Sequence, residues 1–89
     1  MELEIISKSK NRVVFTLEGE GHTFCNILRD EMWEEKDVIA SGYSIKHPLV
    51  GIPKFVAETK SSDVTSALES TSKSIKKMAE DFKKSFSKL

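Results

Sequence analysis

His22 and Cys25 are the residues whose types and spacing come nearest to a reactive pair: a base three positions before a thiol, at the start of a segment that reads as a helix. The positive end of a helix macrodipole lowers a thiol pKa and a neighbouring imidazole can take up the proton, so the pair would suit nucleophilic chemistry. Two features argue against it. Cys25 falls on the apolar arc of its helix, where cysteine serves as a small buried hydrophobe, and no third group is in place to orient the histidine. The run from Gly19 to Phe24 has the outline of a dinucleotide fingerprint, but Phe24 occupies the third glycine position and Glu20 would repel a pyrophosphate. His22, Cys25 and His47 offer three possible metal ligands without the paired spacing of a zinc site. No catalytic residue, cofactor or metal is therefore assigned to this chain.

The 89 residues that must position these groups suffice for one domain, 1–89, with a thin core. An apolar share of 38% beside 31% charged residues is a globular balance, and no run approaches the roughly 18 apolar residues of a membrane span. The opening MELEIISKSK has acids where a secretory signal needs a basic start, and a lone cysteine cannot form an internal disulfide, so a cytoplasmic, reducing setting is expected. Fourteen basic and fourteen acidic residues cancel, which argues against an autonomous DNA-binding domain. Their distribution is uneven: nine acids face five basic residues from Met1 to Asp37, whereas Ser70 to Leu89 holds six lysines against Glu80 and Asp81.

Alternation over Met1–Lys8, with Leu3 and Ile5 on one side, predicts a half-buried strand, and Arg12–Glu18 a second that forms a hairpin with it. Thr23 is the expected cap of a first helix running to about Lys36. Its apolar residues Phe24, Cys25, Ile27, Leu28 and Met32 cover about 160° of arc, wide for a helix resting on a sheet alone, so it should touch two surfaces. Trp33 projects from its other side. Strands are expected over Val38–His47, with Gly42 as a bulge or close approach, and over Lys54–Lys60, separated by the loop from His47 to Pro53.

Ser61, Ser62 and Asp63 form a capping cluster, and nothing after them breaks a helix. Val64, Leu68, Thr71, Ile75, Met78, Phe82, Phe86 and Leu89 fall within about 80° of arc, while Lys73, Lys76, Lys77, Lys84 and Lys88 take the opposite face. Such a helix, about 39 Å long, exceeds the roughly 31 Å diameter of a compact globule of this size. About one and a half turns should overhang, carrying Phe86 and Leu89 with Phe82 near the edge, an apolar patch of the kind that marks an interface. Lysines opposite rings also describe a helix lying on an anionic membrane, but four preceding strands and a full-length apolar seam favour protein packing. Phosphate attraction by the lysines lacks interleaved aromatics on which bases would stack.

The stretch Glu18–Met32, EGEGHTFCNILRDEM, with Ile39–Leu49, IASGYSIKHPL, resembles the alpha-like motif of the small L subunit family of archaeal DNA-directed RNA polymerase, related to the small alpha-like subunits of nuclear polymerases and more distantly to bacterial alpha. The likeness covers essentially the whole chain. Gly19, Glu20, His22, Thr23, Asn26, Leu28 and Arg29 match its first block, and Tyr43, His47, Pro48 and Leu49 its second; Gly21 and Cys25 depart from it. The resemblance implies an α+β two-layer sandwich of order β-β-α-β-β-α, a four-stranded mainly antiparallel sheet and a long C-terminal helix. It implies a non-catalytic RNA polymerase subunit that pairs with the larger alpha-like D subunit as a heterodimer. That pair is a platform for the large catalytic subunits and other small subunits, with no sequence-specific nucleic-acid contact and no membrane. On that reading Phe24, Ile27, Leu28 and Met32 of the first helix and Leu68, Ile75, Met78 and Phe82 of the second form the dimer core, with Asn26 and Arg29 on an outward polar face.

Overall fold

Strands β1 (Glu2–Lys8) and β2 (Arg12–Glu18) form where the period-2 pattern places them, followed by α1 (His22–Trp33), β3 (Val38–Ser44), β4 (Lys54–Thr59) and α2 (Val64–Ser87). The computed structural model describes residues 2–45 and 51–88, so His47, Pro48 and Leu49 of the motif and Leu89 of the helical stripe lie outside the described residues. The sheet order is β1-β2-β4-β3, and every adjacent pair is antiparallel. This is the expected two-layer α+β sandwich.

Alternation on the central strands builds the core. Val13, Phe15 and Leu17 of β2 and Phe55 and Ala57 of β4 turn one face toward Cys25, Leu28 and Met32 of α1 and Val64 and Ala67 of α2. Phe15 and Phe55, paired in register, stack at 5.3 Å between ring centroids. Ala67, small enough to be overlooked in the stripe, is where α2 sits close to this layer.

Several local expectations are corrected. Gly21, not Thr23, precedes the first turn of α1 and makes no side-chain cap; Thr23 lies inside the helix and is exposed. The helix stops at Trp33, short of Lys36: Glu34 is its C-cap, the Glu34 and Glu35 amides bond back three residues to the Glu31 and Met32 carbonyls in a tightened last turn, and the chain then turns into β3 through Asp37, whose φ is 76°. Gly42 pairs in register with Val56, the irregularity falls between Val38 and Ala40, and a Cβ at Gly42 would meet nothing within 4 Å, so it marks neither bulge nor close approach. Most consequentially, β1 is exposed along its whole length, Leu3 and Ile5 included, because neither helix reaches over this edge strand.

Asp63 caps α2, its Oδ1 accepting from the Thr65 amide at 3.0 Å. The helix runs 24 residues without interruption, about 36 Å, in a molecule 44 × 36 × 17 Å across. Its stripe goes from covered to bare: Val64 and Thr71 are buried, Leu68 and Ile75 half-buried, then Met78 is 45%, Phe82 72% and Phe86 67% exposed. The overhang is therefore longer than expected, starting near Met78.

Candidate interaction surface

The two motif blocks meet at one hydroxyl. Tyr43 of β3 donates to Asn26 Oδ1 at 2.9 Å and lies 2.8 Å from His22 Nδ1, so one group ties the first turn of α1 to the sheet. The Tyr43 ring stacks over Phe55 at 6.4 Å, which fixes where that hydroxyl points. Asn26, expected on a free polar face, is taken up by this contact. Arg29 is partly so: its carbonyl accepts from Ser41 Oγ at 3.1 Å, while its guanidinium pairs with neighbouring Asp30 at 3.0 Å on the surface. Gly19 turns the chain between β2 and α1 with φ 90°, a conformation glycine adopts freely. At Gly21 an added Cβ would meet nothing, so this departure from the motif carries no steric consequence.

Cys25 faces the core and is wholly buried. Burial pushes its thiol pKa up, with the charge of Glu20 acting in the same direction, the opposite of what a nucleophile requires. His22 turns to Tyr43 rather than to the thiol. Among the described residues no group of three or more His, Cys, Asp or Glu is arranged to hold a metal ion. No helix among them is long and apolar enough to cross a membrane.

The surface with something left to bury is apolar. Phe24 and Ile27 of α1 and Leu68, Ile75, Met78 and Phe82 of α2 are half-buried or exposed. Leu28 and Met32, expected beside them in a dimer core, belong to the chain's own core instead, since they sit on the part of the α1 arc that faces the sheet. The wide arc thus splits, Cys25, Leu28 and Met32 inward and Ile27 outward with Phe24 between. Leu3, Ile5, Val13, Phe15, Leu17, Phe24, Leu28 and Leu68, together with Lys8, Thr65 and Ser72, line a mainly apolar groove of about 270 Å³ between the uncovered edge of the sheet and the two helices. Sequence reasoning missed the contribution of Leu3 and Ile5, because strand alternation looks the same whether the apolar side faces an internal core or an open groove.

An exposed apolar helix end beside an apolar groove equips the chain to associate with other polypeptide, and comparison with known proteins agrees. Residues 12–85 match the family model described as the RNA polymerase Rpb3/Rpb11 dimerisation domain. The chain belongs to this family. Among curated relatives, DNA-directed RNA polymerase subunit Rpo11 of Archaeoglobus fulgidus is 36% identical over 75 residues, 84% of this chain and 87% of that one. Subunit Rpo11 of Methanosarcina acetivorans is 33% identical over 88 residues, 99% of this chain and 96% of that one. The crystal structure of DNA-directed RNA polymerase subunit L from Thermoplasma acidophilum superposes with a TM-score of 0.86 at 29% identity, covering 98% of this chain and 86% of that one. As an Rpb3/Rpb11 dimerisation domain, the chain has an architecture in which the motif serves position: Tyr43, His22 and Asn26 fix α1 on the sheet, and α1 then presents Phe24 and Ile27 beside α2.

Proposed function

We propose that this chain is the small alpha-like L subunit of an archaeal DNA-directed RNA polymerase, a single pairing domain over 1–89 that works in the cytoplasm without a reacting group of its own. Its task is to pair with the larger alpha-like D subunit, forming the platform on which the large catalytic subunits and other small subunits assemble for DNA-templated transcription. Nucleotidyl transfer belongs to the assembled enzyme, with its catalytic groups on the other chains.

The observation that carries this reading is the stripe of α2 running past its own sheet, leaving Met78, Phe82 and Phe86 in water within a family described as a dimerisation domain. Three adjacent apolar side chains on one helix face lower the free energy when a second surface covers them. In the pair, Ile27, Met78 and Phe82 would form the contact centre with Phe24, Leu68 and Ile75 around it, while Leu28 and Met32 support α1 from beneath. The Arg29 guanidinium, on the outward polar side, is available to the larger alpha-like chain or to a large subunit.

Coexpression of the chain with an archaeal D subunit, purified through a tag on either one, tests the reading. Both should be recovered in equal amounts as a complex that survives gel filtration, and Phe82→Ala should reduce the recovery. If the unaltered chain leaves the larger alpha-like chain in the flow-through, the proposal is wrong.

A further inference from the structure

The face of α2 turned away from the apolar stripe has no part in the core or in the proposed pairing. At about 100° per residue, Lys73, Lys76, Lys77, Lys83, Lys84 and Lys88 fall within about 140° of arc, centred roughly opposite Phe82. All six are exposed, along about 22 Å of helix axis. Glu80 and Asp81 are the acids in this span, so six lysines against two acids leave a net charge of +4. Glu80 stands four residues from Lys76 and Lys84, and Asp81 four from Lys77, spacings at which helical ion pairs form. Yet among the described residues the ion pairs are Arg12 with Glu58 and Arg29 with Asp30, so the lysine charges are left for something outside the chain. Glu80, Lys83, Lys84, Ser87 and Lys88 also line an open recess of about 490 Å³, where an anionic group can sit among three ammonium groups.

We infer that this face holds the phosphate backbone of duplex DNA, without regard to sequence, while the opposite face of the same helix is covered in the subunit pair. Composition selects that occupant. Glu80 and Ser87 are the other residues on the arc between Lys73 and Lys88, so it has no aromatic or large apolar side chain. Protein interfaces are built on aromatic anchors and are poor in lysine, whereas surfaces that hold DNA are polar and strongly positive. The same lack of rings denies a single strand its stacking platform. An anionic membrane would also need the apolar stripe, which the pairing uses.

Lysine suits the task, since a compact charge on a flexible stem follows phosphates without fixing a register. A duplex carries one negative charge per about 1.7 Å of axis, enough to meet every lysine along the face. The balanced charge of the whole chain makes this a supporting contact within a larger assembly. The choice of DNA rests on the proposed place in a DNA-directed polymerase; the lysine face itself does not.

Fluorescence anisotropy of a labelled DNA duplex of about 24 base pairs tests the inference between about 50 and 200 mM NaCl, with the full-length chain alone and with the coexpressed complex of both alpha-like chains. If four to six phosphates are engaged, the logarithm of the association constant falls against that of salt with a slope of about −3.6 to −5.4, so lowering NaCl from about 150 to 50 mM tightens binding about 50- to 400-fold. Lys77→Gln combined with Lys84→Gln preserves helix propensity and should make the slope shallower by about 1.8 and weaken binding at least about tenfold at low salt. Lys36→Gln with Lys54→Gln, exposed but outside α2, should leave both nearly unchanged. Far-ultraviolet circular dichroism confirms that the variants keep their helices. No binding by about 200 μM chain at the lowest salt, a slope shallower than about −2, or equal losses from the two pairs of substitutions overturns the inference. Tighter binding to single-stranded DNA, duplex RNA, poly-L-glutamate of equal charge or phosphatidylserine vesicles than to duplex DNA overturns it as well. A complex of the two alpha-like chains that ignores DNA sinks the lysine-face inference alone, and a chain that binds DNA through these lysines but leaves the larger alpha-like chain unbound sinks the heterodimer alone.

Discussion

The Thr71 hydroxyl lies 3.3 Å from Met32 Sδ and 2.8 Å from the Ala67 carbonyl oxygen, wholly buried where α1 crosses α2. The one polar residue of the stripe is thus a packing residue whose hydroxyl finds a local acceptor, as threonine often does in a helix. Thr71→Val keeps the shape, and the Ala67 carbonyl retains the helical amide four residues on, so the expected change in unfolding free energy is within about 1 kcal/mol. Thr71→Ala leaves a void and should cost about 1–2 kcal/mol. Urea denaturation of the two variants checks the order; a valine variant less stable than the alanine one would contradict it.

Tyr43 joins α1 to β3 through its hydroxyl while its ring rests on Phe55, so Tyr43→Phe separates the two roles. A loss of about 0.5–1.5 kcal/mol is expected. It should appear as faster amide exchange at the start of α1, from Asn26 onward, with the sheet unaffected. Uniform acceleration across the molecule would show instead that the ring had moved.

Asp37 gives a pH dependence. Its carboxylate accepts from the backbone amides of Ser62 and Ser61, at 2.5 and 2.7 Å, and from the Ser61 hydroxyl at 3.2 Å, pinning the α1–β3 connection to the turn before α2. These bonds, Ser62 first, lower its pKa from 3.8 to about 2. The folded state therefore holds the charged form more tightly than the unfolded one does. The resulting stabilisation is complete above about pH 4 and disappears as pH falls through about 2. Asp37→Asn tolerates the left-handed backbone but cannot titrate, so its stability should vary less than that of the unaltered chain between about pH 4 and 2. Identical acid-unfolding curves for the two would rule out Asp37 as the titrating group.

For Cys25, full burial and a raised pKa predict a thiol that a disulfide reagent at neutral pH modifies only as the chain unfolds. Cys25→Ser places a hydroxyl in the core and should cost about 1–3 kcal/mol. Rapid modification of the folded chain, at a rate unaffected by denaturant, would restore the case for a reactive thiol.

How far these features could be read from residue order depends on the range over which each is determined. The Arg12–Glu18 strand and the stripe from Val64 to Phe86 follow from local periodicity, and both appear as read. Asp63 caps α2 as its residue type suggests. The contacts that position α1 are different in kind: His22 meets Tyr43 across 21 positions and Asp37 meets Ser61 across 24, and no local pattern encodes such meetings. The misplaced cap has the same origin, because Thr23 is a better capping residue than Gly21 but the chain path through Gly19 sets the helix start earlier. Burial was legible only as a total. An apolar arc shows how much surface must be covered; whether the chain or another molecule covers it is decided by where the sheet ends, and the sheet ends short of the α2 tip and leaves β1 uncovered.

That division separates two truncations that residue type alone would treat alike. Leu28 is buried in the chain's own core, so Leu28→Ala should cost about 2–5 kcal/mol of folding stability and weaken association only as a consequence. Phe82 is 72% exposed, so Phe82→Ala should leave unfolding of the dilute monomer within about 0.5 kcal/mol of the unaltered chain. The same change should weaken pairing with the larger alpha-like chain by about 2 kcal/mol or more, roughly thirtyfold in dissociation constant, if the ring anchors the contact. Chemical denaturation at low concentration and titration calorimetry with that chain measure the two quantities independently. Equal effects of both substitutions on folding would mean that the overhang is covered from within, and no unpaired stripe would remain to drive association.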